Sequence, residues 1–209
     1  MRYRATVAYD GTAYQGWQSQ AGRGPSIQEA LEHALSVVLR EPIRVRGAGR
    51  TDAGVHAHGQ VIAFDVSTPL ASVEQALRSL NGVLPRDIAV REIAAAPPDF
   101  DPRRHALRRA YCYRILASPV RSPFHLRTAW HVPQPLDVPA MSGAASALIG
   151  VHDFASFQAA DHVPRPSVRQ VEQSAVERQG ELVCYRVVAN AFVRHMVRNI
   201  VGQLVLVGQ

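Results

Sequence analysis

The spacing of apolar residues changes period repeatedly along the first hundred residues, and that alone limits the folds open to the chain. Tyr3, Ala5 and Val7 alternate with Arg2, Arg4 and Thr6, the pattern of a half-buried strand over Arg2–Tyr9. Asp10-Gly11 signals a turn, and Thr12–Pro25 reads as a long ordered loop. Ser26-Ile27-Gln28-Glu29 forms a capping box, and Ile27, Ala30, Leu31, Ala34, Leu35 and Val38 follow at helical spacing. This helix is expected to end near Arg40, because Glu41 precedes Pro42. Ile43, Val45 and Gly47 alternate as a second strand, a glycine-rich turn covers Gly47–Gly54, and Gln60–Val66 is a third strand. Ser72–Leu80 predicts a second helix stopped by Asn81-Gly82, and Asp87–Ala94 a fourth strand.

The resulting order, β-α-β-β-α-β, is that of a ferredoxin-like half with helices on one face of an antiparallel sheet. Beyond it, 109–116 predicts a strand with Tyr111, Tyr113 and Ile115 on one side, and Thr128–Val132 a weaker one. Asp137–Ile149 predicts a helix, His152–Phe157 a turn with two aromatics, and Val168–Glu177 with Glu181–Ala189 a hairpin. Phe192–Val207 reads as a long apolar helix. The expected class is therefore α+β: two ferredoxin-like halves, 1–100 and 101–209, each a mixed, mainly antiparallel sheet flanked by helices. The final helix is apolar on several faces and asks for cover on more than one side, which points to a partner or to a missing closing segment at the C-terminus.

Composition narrows the chemistry. Lys plus Arg is 23, all of it arginine, against 17 acids, for a net charge of +6. With no lysine there is no Schiff base and no Walker-type phosphate loop. Every cation is a permanently charged planar fork suited to phosphate and carboxylate, so nucleic acid is the first partner to consider. Cys112 and Cys184 are the two cysteines, with no paired-cysteine motif, which fits a reducing cytoplasm. No apolar run is long enough to span a membrane. His56 and His58 form a His-x-His pair without an evident third ligand, so no metal and no cofactor is expected.

The densest group of reactive side chains lies in Gly47–Ala57, where glycines at 47, 49 and 54 surround Arg50 and Asp52. Read by composition alone this is either a surface turn with an ion pair or a nucleophile beside its electrostatic partner. The residues Gly49-Arg50-Thr51-Asp52-Ala53-Gly54-Val55-His56 resemble the signature of the TruA family of tRNA pseudouridine synthases. The resemblance continues in order through Tyr9–Gln18, Asn81–Val90, Phe100–Arg103 with Tyr111–Arg114, His152–Phe157, and Asn190–Gly202.

That resemblance implies isomerisation of uridine in the anticodon stem-loop of tRNA, at tRNA positions 38, 39 and 40, by a homodimer. It implies Asp52 as nucleophile, with attack on the sugar, attack on the base and proton abstraction all open to a carboxylate. It assigns Arg198 as the cation that keeps Asp52 ionised and Arg50 as the group that replaces the extruded base. Tyr111 corresponds to the tyrosine that stacks on the target uracil, and His56 falls among the substrate-binding candidates. Arg103 to Arg127 holds seven arginines and no acid, so Arg103 and Arg109 are candidate tRNA contacts. The reaction yields an isomer and needs no cofactor. A non-catalytic tRNA-binding homologue is the alternative, and a small Asp/His hydrolase a third reading.

Overall fold

The computed structural model describes residues 1–19, 22, 24–159 and 166–209; residues 20, 21 and 23 of the expected Thr12–Pro25 loop lie outside that set. The chain divides into two compact units, Met1–Ala106 and Leu107–Gln209. Both are α+β.

The first unit runs β1 (Arg2–Tyr9), α1 (Ile27–Leu39), β2 (Val45–Gly47), β3 (Ala57–Asp65), α2 (Val73–Val83) and β4 (Ile88–Ala95). Its sheet order is β2-β3-β1-β4 and every neighbouring pair is antiparallel, which is the ferredoxin-like arrangement. Alternation in β1 sends Tyr3, Ala5, Val7 and Tyr9 into one core with Ile27, Leu31 and Leu35 of α1 and Ala76 and Leu80 of α2. The capping box is present: Ser26 Oγ accepts the Glu29 N–H at 3.2 Å, and the Glu29 carboxylate accepts the Ser26 N–H at 3.1 Å.

Two expectations in this unit are corrected. Asn81-Gly82 does not stop α2, which continues to Val83 and ends where Leu84 turns extended ahead of Pro85. Asn81 works instead as a clamp. Its amide accepts the Val90 N–H at 2.9 Å and donates to the Val90 carbonyl at 2.8 Å and to Leu77 at 3.1 Å, tying helix to strand. The third strand also begins earlier, at Ala57, because β1 extends far enough to pair Tyr9 with it. The end of β1 and the start of β3 therefore lie side by side, and the loop between β2 and β3 emerges next to them.

The second unit runs β5 (Arg109–Ala117), β6 (Trp130–Val132), α3 (Val138–Ser146), β7 (Gly150–Asp153), β8 (Val168–Gln179), β9 (Leu182–Ala189) and α4 (Met196–Gly208), with a turn of 3-10 helix at Ala155–Phe157. Its sheet order is β6-β5-β9-β8-β7, antiparallel except for β5 with β6. Taking β5, α3, β8, β9 and α4 alone, the path repeats that of β1, α1, β2, β3 and α2. The two halves thus share these five elements in one connectivity that no sequence repeat announces, but β4 has no equivalent: its place beside the first strand is taken by β6, which runs parallel to β5.

Here too boundaries differ from expectation. His152-Asp153 closes β7 against β8 rather than forming a turn. α3 is shorter than Asp137–Ile149: Asp137 is its N-cap, accepting the Ala140 N–H at 2.9 Å, and Pro139 sits in the first turn, where no N–H is needed. α4 starts at Met196, not Phe192, because His195 takes a left-handed conformation (φ 60°) and Val193 is buried as a separate anchor. One face of α4, with Met196, Ile200, Val201, Leu204 and Val205, is buried in the core; Leu206 and Val207 are exposed. Among the described residues no helix is long and apolar enough to cross a membrane.

Candidate active site

The loop that carries Arg50, Asp52 and His56 is held by the 9–17 segment through close backbone approach. Three glycines make that approach possible. A Cβ on Gly11 would stand 2.1 Å from the Val55 carbonyl oxygen, one on Gly16 2.6 Å from that of Thr51, and one on Gly47 2.7 Å from the Trp17 ring. Gly16 also needs its positive φ of 98°.

Thr51 is fixed from two sides. Its carbonyl accepts the Trp17 N–H at 3.0 Å, and its hydroxyl shares a 2.9 Å hydrogen bond with the buried Tyr9 hydroxyl. After it, Asp52 begins a tight turn closed by the Val55 N–H on the Asp52 carbonyl at 3.2 Å, with Gly54 at φ 76°. The backbone of Asp52 is therefore restrained while its side chain is exposed, the disposition a nucleophile requires. Arg50 is exposed two residues before it, and the Gly49 carbonyl between strand and loop accepts from Gln60 Nε2 at 2.7 Å.

His56 closes the loop on its other side, with Nδ1 3.0 Å from Asp10 Oδ1. Asp10 itself is anchored by its N–H on the Asp87 carbonyl at 2.8 Å, and the Asp87 carboxylate accepts from the Tyr14 hydroxyl at 2.7 Å. Burial, and then that carboxylate, raise the Tyr14 phenol well above its ordinary range, so it stays a donor. Asp10, Tyr14 and Asp87 were not singled out by sequence reasoning. All three lie inside motif segments, but only the folded backbone reveals that they brace the loop.

In the second unit the candidates converge on the segment before α4. Tyr111, on β5 opposite Val187, meets Phe192 edge-to-face with ring centroids 4.8 Å apart. Its neighbour on the same face, Tyr113, stands opposite Tyr185 instead. Spacing does not separate these two tyrosines; in the fold their surroundings differ, with Tyr111 against Phe192. Arg109 Nη1 donates to the Asn190 carbonyl at 2.8 Å, so this arginine secures the same segment. Arg198 follows in the first turn of α4 and is exposed. A helix N-terminus disfavours a cation by a few tenths of a kcal/mol to about 1 kcal/mol.

The acid-free arginine run is divided between the units. Arg103 and Arg104 belong to the first, where their backbone N–H groups at 2.8 and 3.0 Å hold the Asp101 carboxyl below its ordinary range. Arg108 onward belongs to the second, and Arg108 pairs with Glu172 at 3.4 Å. The His152–Phe157 motif is scaffold: Phe154 is fully buried, and Asp153 accepts the Ala155 N–H at 2.9 Å. Among the described residues no group of three or more His, Cys, Asp or Glu is placed to hold a metal ion.

Two kinds of comparison bear on this arrangement. A family model described as tRNA pseudouridine synthase matches residues 5–103 and 144–209, which include Arg50, Asp52, His56, Arg103 and Arg198; Arg109 and Tyr111 fall between the two blocks. Proteins named tRNA pseudouridine synthase A are similar over essentially all of the chain. The one from Myxococcus xanthus is 46% identical over 209 residues, covering 100% of this chain and 78% of its own length. The one from Rhizobium meliloti (strain 1021) is 43% identical over 212 residues, covering 100% and 85%. The one from Geobacter sulfurreducens is 46% identical over 205 residues, covering 97% and 82%.

Proposed function

Because this chain belongs to the tRNA pseudouridine synthase family, an isomerase family, we propose that it converts uridine to pseudouridine in tRNA, at positions 38, 39 and 40 of the anticodon stem-loop, with Asp52 as nucleophile. The observation that carries this reading is the Asp52 loop. A carboxylate is exposed at a turn whose backbone is tied down on both sides, inside a matched segment.

The reaction breaks the C1′–N1 bond, turns the uracil, and joins its C5 to C1′. The C5 proton leaves and N1 gains one, so atoms and electrons balance without a co-reactant. Asp52 supplies the covalent partner or base. Arg198, in the first turn of α4, is assigned as the permanent cation for that carboxylate. Tyr111, braced by Phe192, is assigned the stacking role on the target base. Arg50 is assigned to fill the place of the flipped nucleotide. Arg103 and others of the arginine run are proposed to meet phosphates, as a polyanion favours. The reading also has two copies of the chain act together, and the exposed Phe124 and Leu126 are apolar surface of the kind subunit contacts use. It places the enzyme in the cytoplasm.

Incubating the chain with an unmodified tRNA transcript and mapping pseudouridine by carbodiimide adducts tests the site. Adducts at 38, 39 or 40 are expected. Adducts elsewhere would keep the isomerase and overturn the position; none would overturn both.

A further inference from the structure

The two anchors of the Asp52 loop differ in chemistry. Upstream, Thr51 is held by neutral hydrogen bonds from Trp17 and Tyr9. Downstream, the Gly54 N–H reaches the Tyr14 carbonyl only at 3.4 Å, near the limit for such a bond. The firm contact on that side is between side chains, His56 Nδ1 to Asp10 Oδ1 at 3.0 Å.

Asp10 is well placed to receive it. The same Oδ1 accepts the Thr12 N–H at 2.9 Å and the Thr12 hydroxyl at 2.5 Å, so the carboxylate cannot swing. The Gly11 N–H also lies 3.3 Å from His56 Nδ1. One ring nitrogen cannot donate to a carboxylate and accept from an amide at once. The shorter contact to a charged acceptor is the stronger, which puts the proton on Nδ1. The pair spans the end of β1 and the start of β3, and Gly11 packs against Val55 beneath it.

We infer that Asp10 and His56 form a positioning pair that sets the Asp52 loop at its productive height, with His56 acting through Asp10 rather than on the substrate. This rests on the reading of Asp52 as nucleophile. The side chains of His56 and Asp10 are 29% and 45% exposed, so the pair adds little to global stability. Its effect is local: residues 52–55 hang between Thr51 and His56, and releasing one end lets the carboxylate drift. A displacement of about 1 Å at a reacting group costs on the order of 10²-fold in rate.

Asparagine and glutamine separate this role from others. The amide nitrogen of asparagine occupies the place of Nδ1, and that of glutamine the place of Nε2. Steady-state kinetics on tRNA are therefore expected to show kcat lowered about 10- to 100-fold in His56→Ala and His56→Gln, with KM within about twofold. His56→Asn should recover to within a few-fold of the parent, and Asp10→Ala combined with His56→Ala should be no worse than either alone. A raised KM with kcat kept in His56→Ala would make His56 a substrate contact and overturn the pairing. So would an asparagine variant as impaired as alanine, or additive single changes. If the parent chain shows no turnover, the isomerase reading fails and the pair is judged by amide exchange. Gly54 and Val55 should then exchange faster in His56→Ala than in His56→Asn, and equal rates would overturn it.

Discussion

Replacing Asp52 by alanine is expected to lower tRNA isomerisation by about 10⁴-fold or more, the scale on which covalent enzymes lose rate with their nucleophile. Fold stability should change by about 0.5 kcal/mol or less, because the side chain is exposed and the turn is closed by backbone groups that alanine retains. Affinity for tRNA should be nearly unchanged, since arginines elsewhere in the chain are the proposed phosphate contacts. Single-turnover kinetics, a binding isotherm and a thermal melt on one preparation check all three. Asp52→Asn, which keeps shape and loses the negative charge, should be as inactive as alanine. Turnover retained in either variant would remove the carboxylate from the mechanism.

Gly16→Ala is the second large effect, and it acts on Asp52 without touching it. The substitution meets two obstacles at once. The backbone there has φ 98°, where an L side chain costs about 1–3 kcal/mol. The new methyl would lie 2.6 Å from the Thr51 carbonyl oxygen and 3.1 Å from the Asp52 carbonyl carbon, so backbone must move. The expected result is a loss of about 2–3 kcal/mol in stability together with a fall in kcat on the order of 10²-fold. Gly82→Ala is the matched control. Gly82 lies inside α2 with nothing within 4 Å of an added Cβ, so alanine there should stabilise by about 0.5–1 kcal/mol and leave kcat alone. Denaturant titrations with parallel rate measurements distinguish the pair. A Gly16→Ala chain with parental kcat would mean that the 9–17 segment does not set the loop.

Much of the first unit could be read from local signals because those signals act locally. Ser26 and Glu29 cap one helix whatever surrounds them, and the alternation of Tyr3, Ala5 and Val7 follows from one buried face. Three of the misread boundaries involve a residue whose partner lies in another element. Asn81 beside Gly82 reads as a stop until β4 arrives to take its amide. His152 and Asp153 read as a turn until β8 pairs with them. Phe192 fits a helical spacing, yet it belongs to Tyr111, and the left-handed His195 keeps it out of α4.

The candidate site was legible as a list of residues and not as a mechanism of support. Glycines at 47, 49 and 54 around Asp52 stand out in the sequence, and the family signature gives the aspartate a role. The bracing of that loop depends on Gly11, Gly16, Asp10 and Tyr9, whose relation to residues 51–56 exists only once β1 and β3 lie side by side. Arg109 shows what charge patterning leaves out: besides its charge, its guanidinium donates to the Asn190 carbonyl in its own unit.

Isomerisation at C5 is read directly by tritium release from tRNA labelled at C5 of uridine, with pseudouridine counted in the nuclease digest of the same sample. Release should rise with enzyme and time, equal the pseudouridine formed mole for mole, and vanish in Asp52→Ala. Saturable tRNA binding by the parent chain with no release above background would contradict the isomerase reading and leave a tRNA-binding homologue in its place.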